Sequence, residues 1–503
     1  MRILLSILGH FMAFIPRAMA SGICRAVGFL IIYFPNSRAR VAFANIKHCF
    51  PNLEKRQVRR IAYESAKRMV EMGLFVLASP YIPEAELKKR IKISPYLNGE
   101  IEKIAAAPRP IILMIPHFCM MESITMLPML SPIKMPPTGV FYRPFDNAGL
   151  EKWVKQTRQR YGIHLLSRKE SLFAANDFLK NNGCVGVLFD QDAGMAGALA
   201  PFFGRLASTS EIAELMAERL KCKIGIIWAK RTGFWSAEID AQYFGGETAE
   251  EMLFNSNKWL EDKLKTDETA RLDWLWLHKR WKTQTTPKYR FQIRHRRVIF
   301  EEYIRHFNLK ELPRKSDFLF EMPKSLADCV SILPVFAAIR RARPDARITL
   351  LLAAENAGAL EGIEIAERIV ALPAEPKRRA EILESLAGEY PELCAVLENS
   401  ELALSDAKKI AAAQTYGFVF KGEKKPRRIK FCAELEPEMR EMPKIKILEK
   451  FLQKYGLKEP LDFSPIAFKN RENAGVFDAK SLEKFADCSE ISAALKSCSK
   501  IEY

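Results

Sequence analysis

Short apolar runs of strand length alternate along this chain with segments of helical periodicity. Ile111 to Ile115, Pro137 to Tyr142, Gly186 to Phe189 and Ile224 to Trp228 are each bounded by Pro, Gly or Asn, which predicts buried strands closed by turns. Glu54 to Leu77 and Pro83 to Arg90 carry the helical pattern. A second series follows at Asp317 to Met322, Arg347 to Leu352, Arg368 to Leu372, Leu393 to Leu397 and Tyr416 to Phe420, with a turn at Lys324 to Asp328 and a helix through Arg341. Two α/β layers are therefore expected. Between them, TQTTPK and KYRFQIRHRRVIFEEYIRHFNLKELPRK read as a basic helical connector. The division is a helical segment at 1–35, an α/β domain at 36–283, the connector at 284–314 and a second α/β domain at 315–503.

The first 34 residues hold two apolar runs, LLSILGHFMAFI from Leu4 and MASGICRAVGFLIIYF from Met19, divided by Pro16 and Arg17 and interrupted at Arg25. Neither has the 18 or so uninterrupted apolar residues of a spanning helix. A helical pair lying in a membrane interface is expected, with Arg17, Arg25, Arg38 and Arg40 toward anionic headgroups and Tyr33 and Phe34 near the boundary. An ordinary core hairpin is the alternative. A cleaved signal peptide, despite Ala18-Met19-Ala20, is disfavoured because the rest shows no disulfide usage.

Composition narrows the class. The chain has 503 residues, 48% hydrophobic and 27% charged, enough for two or three domains with proper cores, which excludes a disordered or fibrous protein. Its net charge of +18 calls for an anionic partner. Nucleic acid is disfavoured by the lack of a zinc-finger, RNP-type or GxxG pattern, and the N-terminal runs favour a membrane surface. The ten cysteines form no CxxC pairs and have no His partners at metal spacing, so reduced thiols in a cytoplasmic compartment and no metal are expected.

The chemistry concentrates at Pro110 to Ser123, PIILMIPHFCMMES. A strand-length run ends at His117, and Glu122 follows five positions later. This can put an imidazole at a strand's carboxyl end with a carboxylate in reach of its other ring nitrogen, the arrangement of a general base. His306 and Glu311 share the spacing but have no strand before them, so context rather than spacing selects the first pair. Arg143, Asp190 with Asp192, and Arg231 also follow predicted strands and can converge on His117.

In order, PHFCMMES, GVFYRPFDN, RQRYG, FDQDAG, PFFGRLAST, IGIIWAKR and WLWLHKRWK, with RVAFANIKHCFP before them, resemble the late acyltransferases of lipid A biosynthesis, the lauroyl and myristoyl transferases. The resemblance covers residues 1 to about 283 and implies a glycerolipid-acyltransferase-like α/β domain. It implies His117 as general base toward a hydroxyl and Glu122 as its orienting acid. Arg143, Arg158 and Arg160 are then expected on lipid A phosphates or a carrier's phosphopantetheine, with surface ion pairs as the alternative, and Arg168 more weakly so. Asp190 or Asp192 is expected to position the acceptor or tune His117. Pro201, Phe202, Phe203 and Gly204 are expected to wall an acyl groove or to be ordinary core. The tryptophans of WLWLHKRW are expected at the membrane interface, and His278 packed or facing headgroups. Acyl carrier protein as donor, a lipid A precursor as acceptor, no cofactor, and the cytoplasmic face of the inner membrane complete the expectation. A related membrane glycolipid is the alternative acceptor.

MPKSLADCVSILPVFAAIRRARPDARITLLL resembles the start of lipopolysaccharide heptosyltransferases of glycosyltransferase family nine, which implies a Rossmann-like domain equal to half of a GT-B fold. Asp328 falls at that family's catalytic aspartate, but Ala327 replaces the preceding Gly, and the nucleotide-sugar half has no counterpart. A glycolipid-recognising domain without sugar transfer is the leading expectation. A bifunctional acyltransferase and glycosyltransferase, or an inert scaffold, are the alternatives.

Overall fold

The computed structural model describes residues 2–34, 36–167, 171–293, 295–461, 463 and 466. Arg168 and the end of the expected second domain lie outside the described residues. The chain forms two compact units, one of residues 1–203, 207–281 and 296–308, the other of 204–206, 282–295 and 309–503.

The first unit opens with helices α1 (Arg2–Phe14) and α2 (Arg17–Tyr33), bent by 116° at Pro16, where proline cannot continue the donor ladder. No single described helix is long and apolar enough to cross a membrane, although the bent pair together has the length and apolar composition of one span. Its outer face leaves Ile3, Leu4, Ile7, Phe11, Phe14, Met19, Ile23 and Leu30 exposed. The inner face of α2 is a stripe of Ala20, Cys24, Gly28 and Ile32, one residue per turn. It packs on α4 (Lys55–Ala78), so closely that a Cβ at Gly28 would stand 2.9 Å from the backbone of Lys67.

Between them, α3 (Ser37–Cys49) starts at Asn36, whose side chain accepts from the N–H groups of Arg38 and Ala39. A reciprocal Glu54–Gln57 capping box starts α4. Its buried stripe, Val58, Ile61, Ala62, Ser65, Ala66, Arg68, Glu71, Phe75 and Ala78, includes three polar residues, each of which has a partner.

The strands of this unit are β1 (Ile91–Ile93), β2 (Ile111–Ile115), β3 (Thr138–Tyr142), β4 (Ile163–Ser167), β5 (Cys184–Leu188), β6 (Ala198–Phe202), β7 (Arg205–Thr209), β8 (Lys223–Gly233) and β9 (Ser236–Tyr243). Seven form a sheet in the order β1-β9-β8-β2-β5-β3-β4, and β6 pairs with β7 apart from it. All pairings in the large sheet are parallel except β8 with β9. The uniformly apolar IILMI of β2 follows from its place: parallel neighbours on both sides and a core on each face.

The structure divides the expected connector. Among its described residues only Glu301–His306 is α-helical. Leu199 and Val298 form a parallel bridge, which places 296–308 in the first unit, whereas Phe291 is buried in the core of the second.

The second unit carries β10 (Ser316–Glu321), β11 (Ala346–Ala353), β12 (Arg368–Leu372), β13 (Leu393–Val396), β14 (Gln414–Phe420) and β15 (Phe431–Leu435). They form an all-parallel sheet in the order β12-β11-β10-β13-β14-β15, the doubly wound order whose direction reverses between its first and fourth strands. The expected turn at Lys324 to Asp328 is shorter: Ser325 caps a helix that begins at Leu326, so Ala327 and Asp328 are already helical.

Candidate active site

His117 and Asp190 meet because their strands do. β2 and β5 are parallel neighbours, with Ile115 opposite Leu188, so the second residue past each strand end lies beside the other at the carboxyl edge of the sheet. His117 donates its backbone N–H to Asp190 Oδ2 at 2.9 Å, and its ring Nδ1 lies 2.5 Å from Oδ1. The indole of Trp274 also donates to Oδ2, at 2.7 Å. Burial pushes the Asp190 carboxyl up, but the His117 ring and these N–H donors outweigh it and hold the carboxyl below its usual value. With Nδ1–H directed at a carboxylate, Nε2 is the nitrogen left to take a proton.

Glu122 is not the partner of His117. It sits in a 3₁₀ turn, Met121–Met126, and accepts two bonds from Arg158, Nε to Oε1 at 2.6 Å and Nη2 to Oε2 at 2.9 Å. The Nδ1 side of the imidazole is filled by Asp190, and the guanidinium fork at the end of helix Ala148–Arg158 matches the carboxylate's two oxygens. Of the roles left open for Asp190, contact with His117 is the one seen.

The remaining expected site residues disperse. Arg143 is exposed just past β3. Arg160 donates to the carbonyl of Pro80. Arg231 pairs with buried Glu71, Nε to Oε1 at 3.0 Å, which also accepts from the N–H of Trp235, so it braces the β8–β9 hairpin. Phe203 takes a left-handed φ of 51°, donates its N–H to Glu261 and packs edge-on against Phe50 and Phe202. It is core rather than groove wall. Asp192 stays near the site: its N–H donates to His278 Nε2 at 3.0 Å and its Oδ1 accepts from Gly194.

The tryptophans expected at an interface are interior. Trp274, Trp276 and Trp281 are all buried, in irregular backbone rather than a strand. Trp276 donates to the carbonyl of Arg271, as a buried indole requires. Burial, with Arg280 and His117 nearby, lowers His278 to about 4 against the opposing pull of Asp190 and Asp192, and the neutral ring can accept the Asp192 N–H. Arg280 is fully buried and donates to the carbonyl of Ser208 and to Thr209 Oγ1, and burial lowers it to about 10.

An apolar cleft of about 820 Å³, including its open mouth, lies on one face of the sheet. Leu113, Ile115, Val140, Gly186 and Leu188 form its floor, Ile124 and Leu127 cover it, and Glu122 with Arg158 supplies its polar edge. Residues of one parity along β2 share a face, so the floor at Ile115 is two residues from His117. A Cβ at Gly186 would stand 3.1 Å from Val140 and 3.2 Å from Ile115. Sequence reading missed the contributions of Trp274 and Gly186; the indole's recurrence in WLWLHKRW was a signal, but its partner was not.

In the second unit Asp328 is half exposed and paired with Lys444, Nζ to Oδ2 at 3.1 Å. The same ammonium lies 3.2 Å from Glu398, whose other oxygen accepts the N–H of Lys324. This cluster stands at the carboxyl ends of β10 and β13, where the strand order reverses.

Three solved structures similar to the chain are a glycosyl transferase and two heptosyltransferases. A glycosyl transferase family 9 protein from Veillonella parvula is 15% identical, with a TM-score of 0.27 over 31% of this chain and 45% of that one. The E. coli heptosyltransferase WaaC with ADP is 11% identical, with 0.25 over 30% and 49%. E. coli ADP-heptose lipopolysaccharide heptosyltransferase II is 18% identical, with 0.25 over 34% and 50%. The chain thus spans about half the length of each. No curated protein matches the chain. The family model for bacterial lipid A biosynthesis acyltransferases matches residues 2–283, more than half of the sequence, and the chain belongs to that family.

Proposed function

We propose that the first unit transfers a fatty acyl group from an acyl carrier protein thioester to a hydroxyl of a lipid A precursor. The observation that carries this reading is the His117–Asp190 pair at the sheet edge, next to an apolar cleft. His117 Nε2 takes the proton of the acceptor hydroxyl as its oxygen bonds to the thioester carbonyl carbon. The tetrahedral intermediate collapses by breaking the carbon–sulfur bond, and the proton on Nε2 passes to the departing thiolate. An ester and a free carrier thiol result, with no covalent enzyme intermediate.

The cleft suits the acyl chain. Each buried methylene is worth about 0.8 kcal/mol, so an apolar slot of this kind discriminates by length. Gly186→Leu is expected to shorten the slot and lower kcat/KM for the longest accepted donor about tenfold relative to one two carbons shorter; competition between the two thioesters checks it.

The exposed apolar face of α1 and α2 supports docking to the cytoplasmic side of the inner membrane. The cationic surplus suits both an acidic carrier and a phosphorylated acceptor. Arg143, exposed and close to the sheet's carboxyl edge, is the arginine best placed for a phosphate. The second unit is assigned to glycolipid recognition, since Asp328 is tied to Lys444 rather than held free as a base.

The test is incubation of the purified full chain with acyl carrier protein thioesters and a lipid A precursor, with His117→Ala as blank and products read by mass spectrometry. An acylated precursor formed only by the wild-type chain supports the proposal. Equal product from both proteins would sink the mechanism, and acylation only of another glycolipid, such as an acylated mannoside, would replace the acceptor.

A further inference from the structure

Asp190 carries a requirement that its contact with His117 does not meet alone. The terminal torsion of an aspartate is broad and roughly two-fold, so a carboxylate that orients an imidazole must itself be held against rotation. Its Oδ2 has two donors, the backbone N–H of His117 and the indole of Trp274. Only the indole comes from outside the residue being oriented. Asp190 is 2% exposed, so solvent is poorly placed to replace it.

Trp274 is in turn fixed by α3 and α4. Ser65 donates to the carbonyl of Trp274 at 2.6 Å. Arg68 pairs with Asp273 at 2.5 Å. The Asn45 side chain donates to the carbonyls of Trp276 and His278, at 2.9 and 2.8 Å. The segment from Asp273 to His278 is a strap, latched on one side by these helices and touching Asp190 and the N–H of Asp192 on the other.

We propose that Trp274 is a positioning residue for acyl transfer, its indole N–H fixing Asp190 and through it the ring of His117, with Asn45, Ser65 and Arg68 holding the strap in register. The kinetic part of this inference rests on the acyltransferase reading of the site. The charged and titratable groups around Asp190 are His117 past β2, His278 and Arg280 on the strap side, and Asp192 on its own loop.

In Trp274→Phe a ring remains against Phe202 and Trp276, but the donor is gone. A lost hydrogen bond to a charged buried group corresponds to about a tenfold to hundredfold effect. That fall is expected in kcat, with KM for donor and acceptor within about twofold. Asp190, short of one donor, holds a proton more tightly, so the acid limb of the kcat/KM profile moves to higher pH. Ser65→Ala, which loosens the latch and keeps the indole, is expected to shift the profile the same way with a smaller fall in kcat. Trp235→Phe removes a buried indole that donates to the carbonyl of Glu71, outside the strap, and is expected to leave the acid limb unmoved.

A second readout does not depend on turnover. In protein labelled with ¹⁵N-tryptophan, the indole resonance that disappears in Trp274→Phe is expected to move in Asp190→Asn. The inference is overturned by a folded Trp274→Phe with wild-type kcat and acid limb, by an equal pH shift in Trp235→Phe, or by a Trp274 resonance indifferent to Asp190→Asn. An inactive wild-type chain whose Trp274 resonance still responds to Asp190→Asn refutes the acyltransferase reading and leaves the positioning contact supported.

Discussion

Asp190→Asn is expected to lower kcat by about 10³ to 10⁴-fold, while Glu122→Gln lowers it by less than about tenfold. An asparagine keeps the shape of Asp190 and can still accept from Trp274, but it removes the negative charge beside the imidazole. Its amide can also donate to Nδ1, and a ring accepting there carries its proton on Nε2, the wrong tautomer for a base. Glu122→Gln leaves the His117–Asp190 contact intact and alters only the Arg158 pair. Single-turnover acyl transfer at saturating donor separates the two, because it reads the chemical step without product release. A larger loss in Glu122→Gln than in Asp190→Asn would return the orienting role to Glu122.

The error in partner arises from what spacing can encode. Glu122 is near His117 in sequence, and a short helical or turn segment offers many ways to bring such residues together. Asp190 is 73 residues away and becomes adjacent only through the register of β2 and β5, which is a tertiary fact. Even so, both strand ends were legible. The apolar run before His117 and the run before Asp190 marked two carboxyl edges, and parallel pairing of neighbours in an α/β layer brings such edges together.

The tryptophan run misleads for a related reason. Alternation in WLWLHKRW mimics an interfacial edge, but the backbone there is a series of tight turns. Trp274, Trp276 and Trp281 face inward because the backbone changes direction between them and each finds a ring or acceptor. The exposed apolar residues of α1 and α2, by contrast, were readable from hydropathy, since no amphipathic pattern covers both faces of the pair. The connector was unreadable because its division rests on tertiary contacts, the bridge between Leu199 and Val298, the pairs of Arg297 with Glu211 and Glu250, and Phe254 against Tyr303, which leave no local trace.

Glu122→Ala is expected to destabilise the first unit by about 2–4 kcal/mol, while Glu122→Leu combined with Arg158→Leu recovers most of that loss. The carboxylate is 8% exposed and its partner's guanidinium stands at the edge of an apolar cleft. Truncating one member strands a charge that water only partly reaches, and the cost is set by that desolvation rather than by the strength of the pair. Replacing both extends the apolar wall and removes the stranded charge. Urea unfolding followed by tryptophan fluorescence isolates the effect, because all seven tryptophans fall between Trp153 and Trp281, within the first unit. If the double variant is as unstable as Glu122→Ala, the pair contributes geometry that leucines cannot supply, and the cleft edge requires a polar cap. If it recovers stability but loses acyl transfer with His117 and Asp190 intact, the ion pair serves the substrate rather than the fold.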